Sequence, residues 1–150
     1  MRRSITTWLF IAYAIAVVAV TVFPLTPLPP PPYRSGEPWW TMVHYIPFEV
    51  EAASFVLNVI MFVPFGVLVP LLWPSADGVG RLASRAVAVS CGIELVQLVL
   101  DLTLDSRRTV DVNDLLANTL GALAGLVILR SAVPDRADRR SILDAAGRRQ

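Results

Sequence analysis

Charged and amide side chains at helical spacing lead into the last apolar stretch of the chain. The segment 105–125 reads DSRRTVDVNDLLANTLGALAG, with Arg108 ahead of two aspartates, Asp111 and Asp114. At 100° per residue, Asn118 follows these aspartates along one stripe of a helix. Carboxylates in such an arrangement can transfer protons, and an arginine fork binds phosphate or carboxylate groups.

Two earlier apolar stretches carry polar stripes of the same kind. Glu94 and Gln97 share one helical face, and Asn58 lies on a face of the preceding stretch. An ionisable side chain inside a membrane is expensive unless it faces protein or water. We therefore expect the three stripes to line one polar cavity.

These side chains are compatible with several kinds of site. Glu94, Asp111 and Asp114 are the candidates for catalysis, with Glu94 as a buried proton carrier. Glu94 has an equally open structural interpretation, as a hydrogen-bond partner of Gln97 and Asn118. Three carboxylates also suit Mg²⁺, but their spacing is not that of a metal motif, so we predict no metal and no cofactor. The candidate ligand-binding residues are Arg108, Asn58, Gln97 and Asn118.

Two interpretations also stay open for Arg107 and Arg108. Asp101, Asp105 and Asp111 surround them in the sequence and can pair with both arginines. In the other interpretation, one arginine clamps an external phosphate or carboxylate group, because its planar fork fits both.

The composition is that of a membrane protein. Of the 150 residues, 55% are hydrophobic, and four apolar stretches are long enough to cross a bilayer as helices. A single cysteine and a single histidine exclude disulfides within the chain and zinc sites with several histidines. The net charge of +1 gives no reason to expect a nucleic-acid partner. The predicted spans cover about 5–23, 55–73, 82–100 and 115–133.

The arginines predict the orientation of these spans. With the N terminus inside the cell, all 13 basic residues except Arg34, Arg107 and Arg108 lie in the cytoplasm, as the positive-inside rule requires. The predicted fold class is therefore an all-α integral membrane protein, a bundle of four transmembrane helices with both termini inside. The polar cavity between helices two, three and four then opens outward.

The domain organisation follows from the spans. Residues 1–133 form one transmembrane domain, with an external proline-rich and aromatic loop at 24–54. Its PLTPLPPPP run favours the stiff polyproline II conformation. Residues 134–150 are predicted to be a basic cytoplasmic tail. We expect membrane lipids as partners and leave the oligomeric state open.

Glycines and a proline predict how the helices pack. Gly121 and Gly125 form a G-x-x-x-G pair, which lets two helices approach closely. Pro64 removes a backbone hydrogen bond and is expected to kink the second helix, where Gly66 eases the bend. Phe62 lies on the polar stripe of the same helix.

Several blocks of the sequence resemble the signature of VanZ-like membrane proteins. They read NVIMFVPFG (58–66), IELVQL (93–98) and RRTVDVNDLLANTLGALAG (107–125). A further block ahead of them, YIPFE, is similar as well, with His44 in the place of a more usual Asn. Their order and separation make the resemblance specific over about 45–129. The motif positions carried over by the resemblance are Asn58, Phe62, Pro64, Gly66, Glu94, Gln97, Arg108, Asp111, Asp114, Asn118 and Gly121.

The resemblance implies a small bacterial multi-spanning protein of the plasma membrane. The namesake of the family is associated with resistance to the glycopeptide antibiotic teicoplanin, and the resemblance implies no settled activity. We expect an envelope protein that binds an anionic lipid-linked, peptidoglycan-related or glycopeptide-related group at the outer face. Two alternatives stay open: an enzyme acting on lipid or cell-wall precursors by carboxylate acid–base chemistry, and a non-catalytic structural or assembly protein.

Overall fold

The computed structural model describes residues 2–22, 43–44, 46, 52–104 and 110–133. The predicted architecture of four helices is confirmed. The elements are α1 (Arg2–Val22), β1 (Val43–His44), α2 (Ala52–Leu72), a short 3-10 turn (Pro74–Ala76), α3 (Val79–Leu104), β2 (Val110–Asp111) and α4 (Val112–Ala132).

Each of the four helices is long and apolar enough to cross a membrane. α2, α3 and α4 begin about one turn before the apolar stretches seen in the sequence. The predicted spans begin at the first residue of each apolar run, whereas a helix also includes the residues of the turn before that run. At α4 this extra turn contains Asn113 and Asp114, so Asp114 lies on the helix as its place in the polar stripe indicates.

α2 and α4 run parallel to each other, and a short pair of strands precedes them in the chain. β1 and β2 pair in parallel, with Val43 beside Val110 and His44 beside Asp111. Both helices start at the same end of the bundle, because Val59 of α2 lies beside Gly121 of α4 and Val63, further along α2, lies beside Gly125. α3 lies between them in the sequence, runs in the opposite direction and packs against α4.

Three glycines let α2 and α4 touch backbone to backbone. A Cβ atom added at Gly66 would collide with the carbonyl oxygen of Ala122 and would lie 2.9 Å from the Cα of Gly125. A Cβ atom added at Gly121 would collide with the carbonyl oxygen of Val59. The sequence indicates close packing at Gly121 and Gly125, and Gly66 supplies the facing surface on α2. We call Gly66, Gly121 and Gly125 the glycine seam.

The apolar core continues from the glycine seam toward the turn between α2 and α3. Phe62 and Phe65 lie in this core with ring centroids 5.4 Å apart, next to the buried Leu126. The turn itself is attached to the end of α4, because Nη2 of Arg130 lies 3.3 Å from Oδ1 of Asp77. This end of the bundle therefore has a packed apolar interior and a charged rim.

α1 lies at the periphery and is attached mainly to α2. The hydroxyl of Tyr13 donates a hydrogen bond to the carbonyl oxygen of Met61 at 3.0 Å. Phe10 meets the ring of Trp73 edge-on, with centroids 5.4 Å apart. Met61 directly follows Ile60, whose carbonyl oxygen receives no backbone hydrogen bond from Pro64 because proline has no N–H. Tyr13 thus supplies a donor at the turn that the proline weakens, and α2 continues through Pro64 as one helix.

Some predictions concern parts of the chain outside the described residues. They include most of the external loop 24–54, the tail 134–150 and the arginines at 107 and 108. The orientation of the bundle and the outward-opening cavity also stay predictions.

Candidate functional site

A group of polar side chains lies at the end of the bundle where α2 and α4 begin. Glu94 is 5% exposed and Asn118 is 1% exposed, although both helices are otherwise largely apolar. Polar and ionisable groups at such depth in a membrane protein are costly and usually functional. We call the following side chains the polar cluster: Asn58 from α2, Ser90 and Glu94 from α3, and Asp111, Asn113, Asp114 and Asn118 at the start of α4.

Asp111 caps α4 and is the member of the polar cluster nearest the start of that helix, a position that we call the mouth. Its backbone is extended (φ −124°, ψ 122°), and its Oδ1 accepts hydrogen bonds from the backbone nitrogen and from Nδ2 of Asn113, both at 2.8 Å. The Asn113 amide also donates to the carbonyl oxygen of Ile46 at 3.2 Å. This buried amide therefore connects the segment before α2 to the first turn of α4.

Glu94 and Asp114 form the middle layer of the polar cluster. The backbone nitrogen of Asp111 donates to Oε2 of Glu94 at 3.2 Å. The carboxyl group of Asp114 has the side chain of Asn58 as a hydrogen-bond partner. α2, α3 and α4 therefore each contribute one side chain to this layer.

Asn118 is the deepest member of the polar cluster on α4. Its Nδ2 donates to the hydroxyl oxygen of Ser90 on α3 at 2.8 Å. Its Oδ1 is buried and has no hydrogen-bond partner among the residues that the structure describes. A buried acceptor without a partner costs about 1–3 kcal/mol, so this oxygen is suited to accept a hydrogen bond from a bound group.

These contacts differ from the structural interpretation of the sequence, which pairs Glu94 with Gln97 and Asn118. In the structure Asn118 bonds to Ser90, while Glu94 bonds to the backbone of Asp111. The reason is the antiparallel course of α3, which places Ser90 opposite Asn118 and Glu94 nearer the start of α4.

The carboxyl groups of Glu94, Asp111 and Asp114 lie close enough to repel one another when charged. The start of α4 offsets part of this repulsion, because a helix dipole favours negative charge in the first turn, where Asp114 lies. Within the described ranges, no group of three His, Cys, Asp or Glu side chains is arranged to hold a metal ion. The polar cluster therefore offers acceptors at several separate positions.

The remaining candidate residues lie around the polar cluster. Gln97 is half-buried on α3, about one turn beyond Glu94. Phe62 is buried on α2 one turn after Asn58, and Pro64 and the glycine seam follow further along. Arg108 lies outside the described residues, so its part in ligand binding stays a prediction.

Two members of the polar cluster, Ser90 and Asn113, are not among the residues singled out from the sequence. Ser90 lies four residues before Glu94, which places both on one face of α3 and is a signal that the sequence contains. Asn113 lies off the stripe of Asp111 and Asp114. Its signal is the D-x-N pattern at a helix start, where the aspartate caps the helix and the next polar residue can bond to it.

Comparison with known proteins gives a family for the chain. A family model described as VanZ/LLP1 matches residues 10–133, which is most of the chain and includes the whole polar cluster. The chain belongs to the VanZ-like family. Comparison with curated proteins and with solved structures gives no significant match. The resemblance indicated by the sequence blocks is thus confirmed, and with four apolar helices this VanZ-like chain is a multi-pass membrane protein.

The polar cluster of this VanZ-like protein has two chemical capacities. Its carboxyl and amide oxygens can accept hydrogen bonds from a ligand, and the carboxyl groups can also take up or release a proton. Both capacities require that the ligand reach Glu94 and Asp114 past the mouth at Asp111.

Proposed function

We propose that this VanZ-like protein binds an anionic lipid-linked or peptidoglycan-related group at the outer face of the bacterial plasma membrane. The observation that carries the proposal is the polar cluster, in which Glu94 and Asn118 are buried between apolar helices. Helix packing alone does not need these groups, because apolar side chains of similar volume would pack without the cost of desolvating a charge. A ligand that offsets this cost explains why the polar cluster is there.

The arginines of the described helices support an outward-facing polar cluster. Arg85 bonds to Ser75, and Arg130 pairs with Asp77, both at the end of the bundle opposite the polar cluster. Basic residues collect on the cytoplasmic side of membrane proteins. This distribution favours a cytoplasmic turn between α2 and α3 and an external start of α4.

Arg108 is the proposed anion-binding residue. Only two residues separate it in the sequence from Asp111, which is a member of the polar cluster. A guanidinium group can bind a phosphate through two parallel N–H···O bonds. The carboxyl groups of the polar cluster would repel an anion, so we assign the anion to Arg108 and the uncharged part of the ligand to the polar cluster.

Replacing Arg108 by alanine is expected to weaken the binding of a polyprenyl phosphate by about ten- to a hundredfold, the usual effect of losing a charge-assisted hydrogen bond. The affinity is measured by titrating the lipid against the protein in lipid nanodiscs. Arg107→Ala is the matched control, since it removes the same charge one residue away, and we expect it to keep most of the affinity. Unchanged affinity in Arg108→Ala would exclude the clamp.

Deleting the gene is expected to change both the envelope-lipid profile of the cells and their susceptibility to teicoplanin. The reason is that a protein that binds an envelope precursor alters how much of that precursor reaches the cell wall, where glycopeptides act. Mass spectrometry of extracted lipids and growth at graded teicoplanin concentrations measure the two effects. If neither changes, the assignment to the envelope loses its support.

Complementation of that deletion separates the proposal from its two alternatives. Glu94→Gln keeps the size of the side chain but can no longer transfer a proton. Full complementation by Glu94→Gln at normal protein abundance would exclude an enzyme that uses Glu94 as its proton carrier. If variants of the polar cluster instead lose abundance at unchanged specific activity, the side chains serve only helix packing.

A further inference from the structure

The buried amide of Asn118 has two polar atoms, of which one is hydrogen-bonded to another described residue and the other is not. Its Nδ2 donates to Ser90 at 2.8 Å, and its Oδ1 is without a hydrogen-bond partner in the described part of the chain. The side chain is 1% exposed, so bulk water is not its usual partner. A group that binds to Oδ1 of Asn118 must therefore donate a hydrogen bond to it.

The oxygen of Asn118 lies at the inner end of a line of acceptors. From Asp111 through Asp114 to Asn118, α4 presents carboxyl and amide oxygens over a helix rise of about 10 Å. Glu94 faces the same region from α3. An ionised carboxylate accepts at about four lone-pair positions and donates none. The polar cluster therefore has more acceptors than donors.

The distribution of these acceptors decides which ligand fits. A single metal ion needs several oxygens around one point, and the described carboxyl groups are not arranged in that way. A second anion would be repelled by the same carboxyl groups. A neutral group with several hydroxyls fits, because each O–H can donate to a different oxygen along the line.

We infer that the polar cluster binds the hydroxyl groups of a sugar carried by a lipid-linked phosphate, with one hydroxyl donating to Oδ1 of Asn118. This inference rests on the proposed function, in which Arg108 holds the phosphate of the same lipid. The sugar enters past Asp111, and the hydroxyl that penetrates furthest meets Asn118 and Ser90.

The experiment compares a polyprenyl phosphohexose with analogues that each lack one sugar hydroxyl, titrated against the full-length protein in nanodiscs. We expect at least one deoxy analogue to bind the natural protein about tenfold more weakly than the parent lipid, because it leaves a buried acceptor unpaired. In Asn118→Ala the parent lipid and that analogue should bind equally, since the acceptor itself has been removed.

Two further variants keep the comparison informative if Asn118→Ala does not fold. Asn118→Asp keeps an oxygen acceptor in a side chain of the same shape, and we expect it to retain the preference for the parent lipid. Thr119→Ala is the matched control, because the Thr119 hydroxyl bonds to the carbonyl oxygen of Leu115 in its own helix at 2.7 Å. It removes a neighbouring polar atom and should leave the preference unchanged.

The possible failures are distinguishable. If every deoxy analogue binds as well as the parent lipid, or if Asn118→Ala keeps the preference, the sugar inference is wrong while phosphate binding at Arg108 stands. If neither the parent lipid nor bare polyprenyl phosphate binds, the proposed function is wrong as well. If soluble hexose phosphate competes at the same concentration as the lipid, the assignment to a lipid-linked ligand is wrong.

Discussion

Replacing Gly66 by alanine is expected to prevent α2 from packing against α4 and to leave little folded protein. The added methyl group would collide with the carbonyl oxygen of Ala122 and lie 2.9 Å from the Cα of Gly125. Both neighbours are backbone atoms, so no side chain can rotate away. Overpacking a close-packed interior costs about 1–3 kcal/mol, and rigid contacts on two sides place this change at or above the upper end. The free energy of unfolding in detergent and the yield of monodisperse protein measure the loss.

Gly92→Ala is the matched control for this prediction. Gly92 lies in α3, another spanning helix, and a Cβ atom added there meets no described atom within 4 Å. Alanine favours a helix over glycine by about 1 kcal/mol, so the control should be neutral or slightly stabilising. Gly121→Ala should behave like Gly66→Ala, because it collides with the carbonyl oxygen of Val59. Equal stability of the Gly66 and Gly92 variants would contradict the glycine seam.

Asp111→Ala is expected to lower the free energy of unfolding and to loosen the first turn of α4. Loss of the N-cap costs about 0.5–2 kcal/mol. The side chain of Asn113, which is 2% exposed, also loses one of its acceptors while it keeps the carbonyl oxygen of Ile46, and one lost hydrogen bond costs about 0.5–1.5 kcal/mol. Chemical denaturation measures the loss of stability, and faster hydrogen exchange in the first turn of α4 locates it.

The Asp111→Asn variant distinguishes the helix-capping role of Asp111 from the effect of its negative charge. Asparagine caps a helix about as well as aspartate, so this variant should keep nearly all of the stability while it removes one negative charge from the mouth of the polar cluster. If it is as unstable as Asp111→Ala, the cap is not what Asp111 contributes. A stable Asp111→Asn protein with altered lipid binding would show that its charge acts on the ligand.

The four helices could be predicted because the length of an apolar run reflects the thickness of a bilayer. Helical periodicity also placed Asp114 on α4, but the predicted apolar span began only at residue 115, and the partnership between the cap at Asp111 and Asn113 was not predicted. Gly66 as the residue that faces Gly121 and Gly125 could not be predicted from the sequence. It depends on the register between α2 and α4, which are distant in the sequence, and no local pattern at Gly66 encodes that register.

The polar cluster could be predicted in part from helical periodicity. The stripes containing Asn58, Glu94 and Asp114 do converge, because an ionisable side chain in an apolar helix has to face another polar group. The individual partners could not be predicted. Glu94 bonds to a backbone nitrogen, and Asn118 bonds to Ser90, a small residue that looks like an ordinary packing position in a membrane helix.

The glycine seam joins α2 to α4 and not to the helix that follows α2 in the chain. During synthesis α2 enters the membrane before α3 and α4 have been made. Until α4 is inserted, the packing surface of α2 therefore lacks its contacts with α4. The same holds for the amide of Asn58 at one end of that surface. Neither the glycine seam nor the polar cluster can therefore be complete before α4 has been inserted.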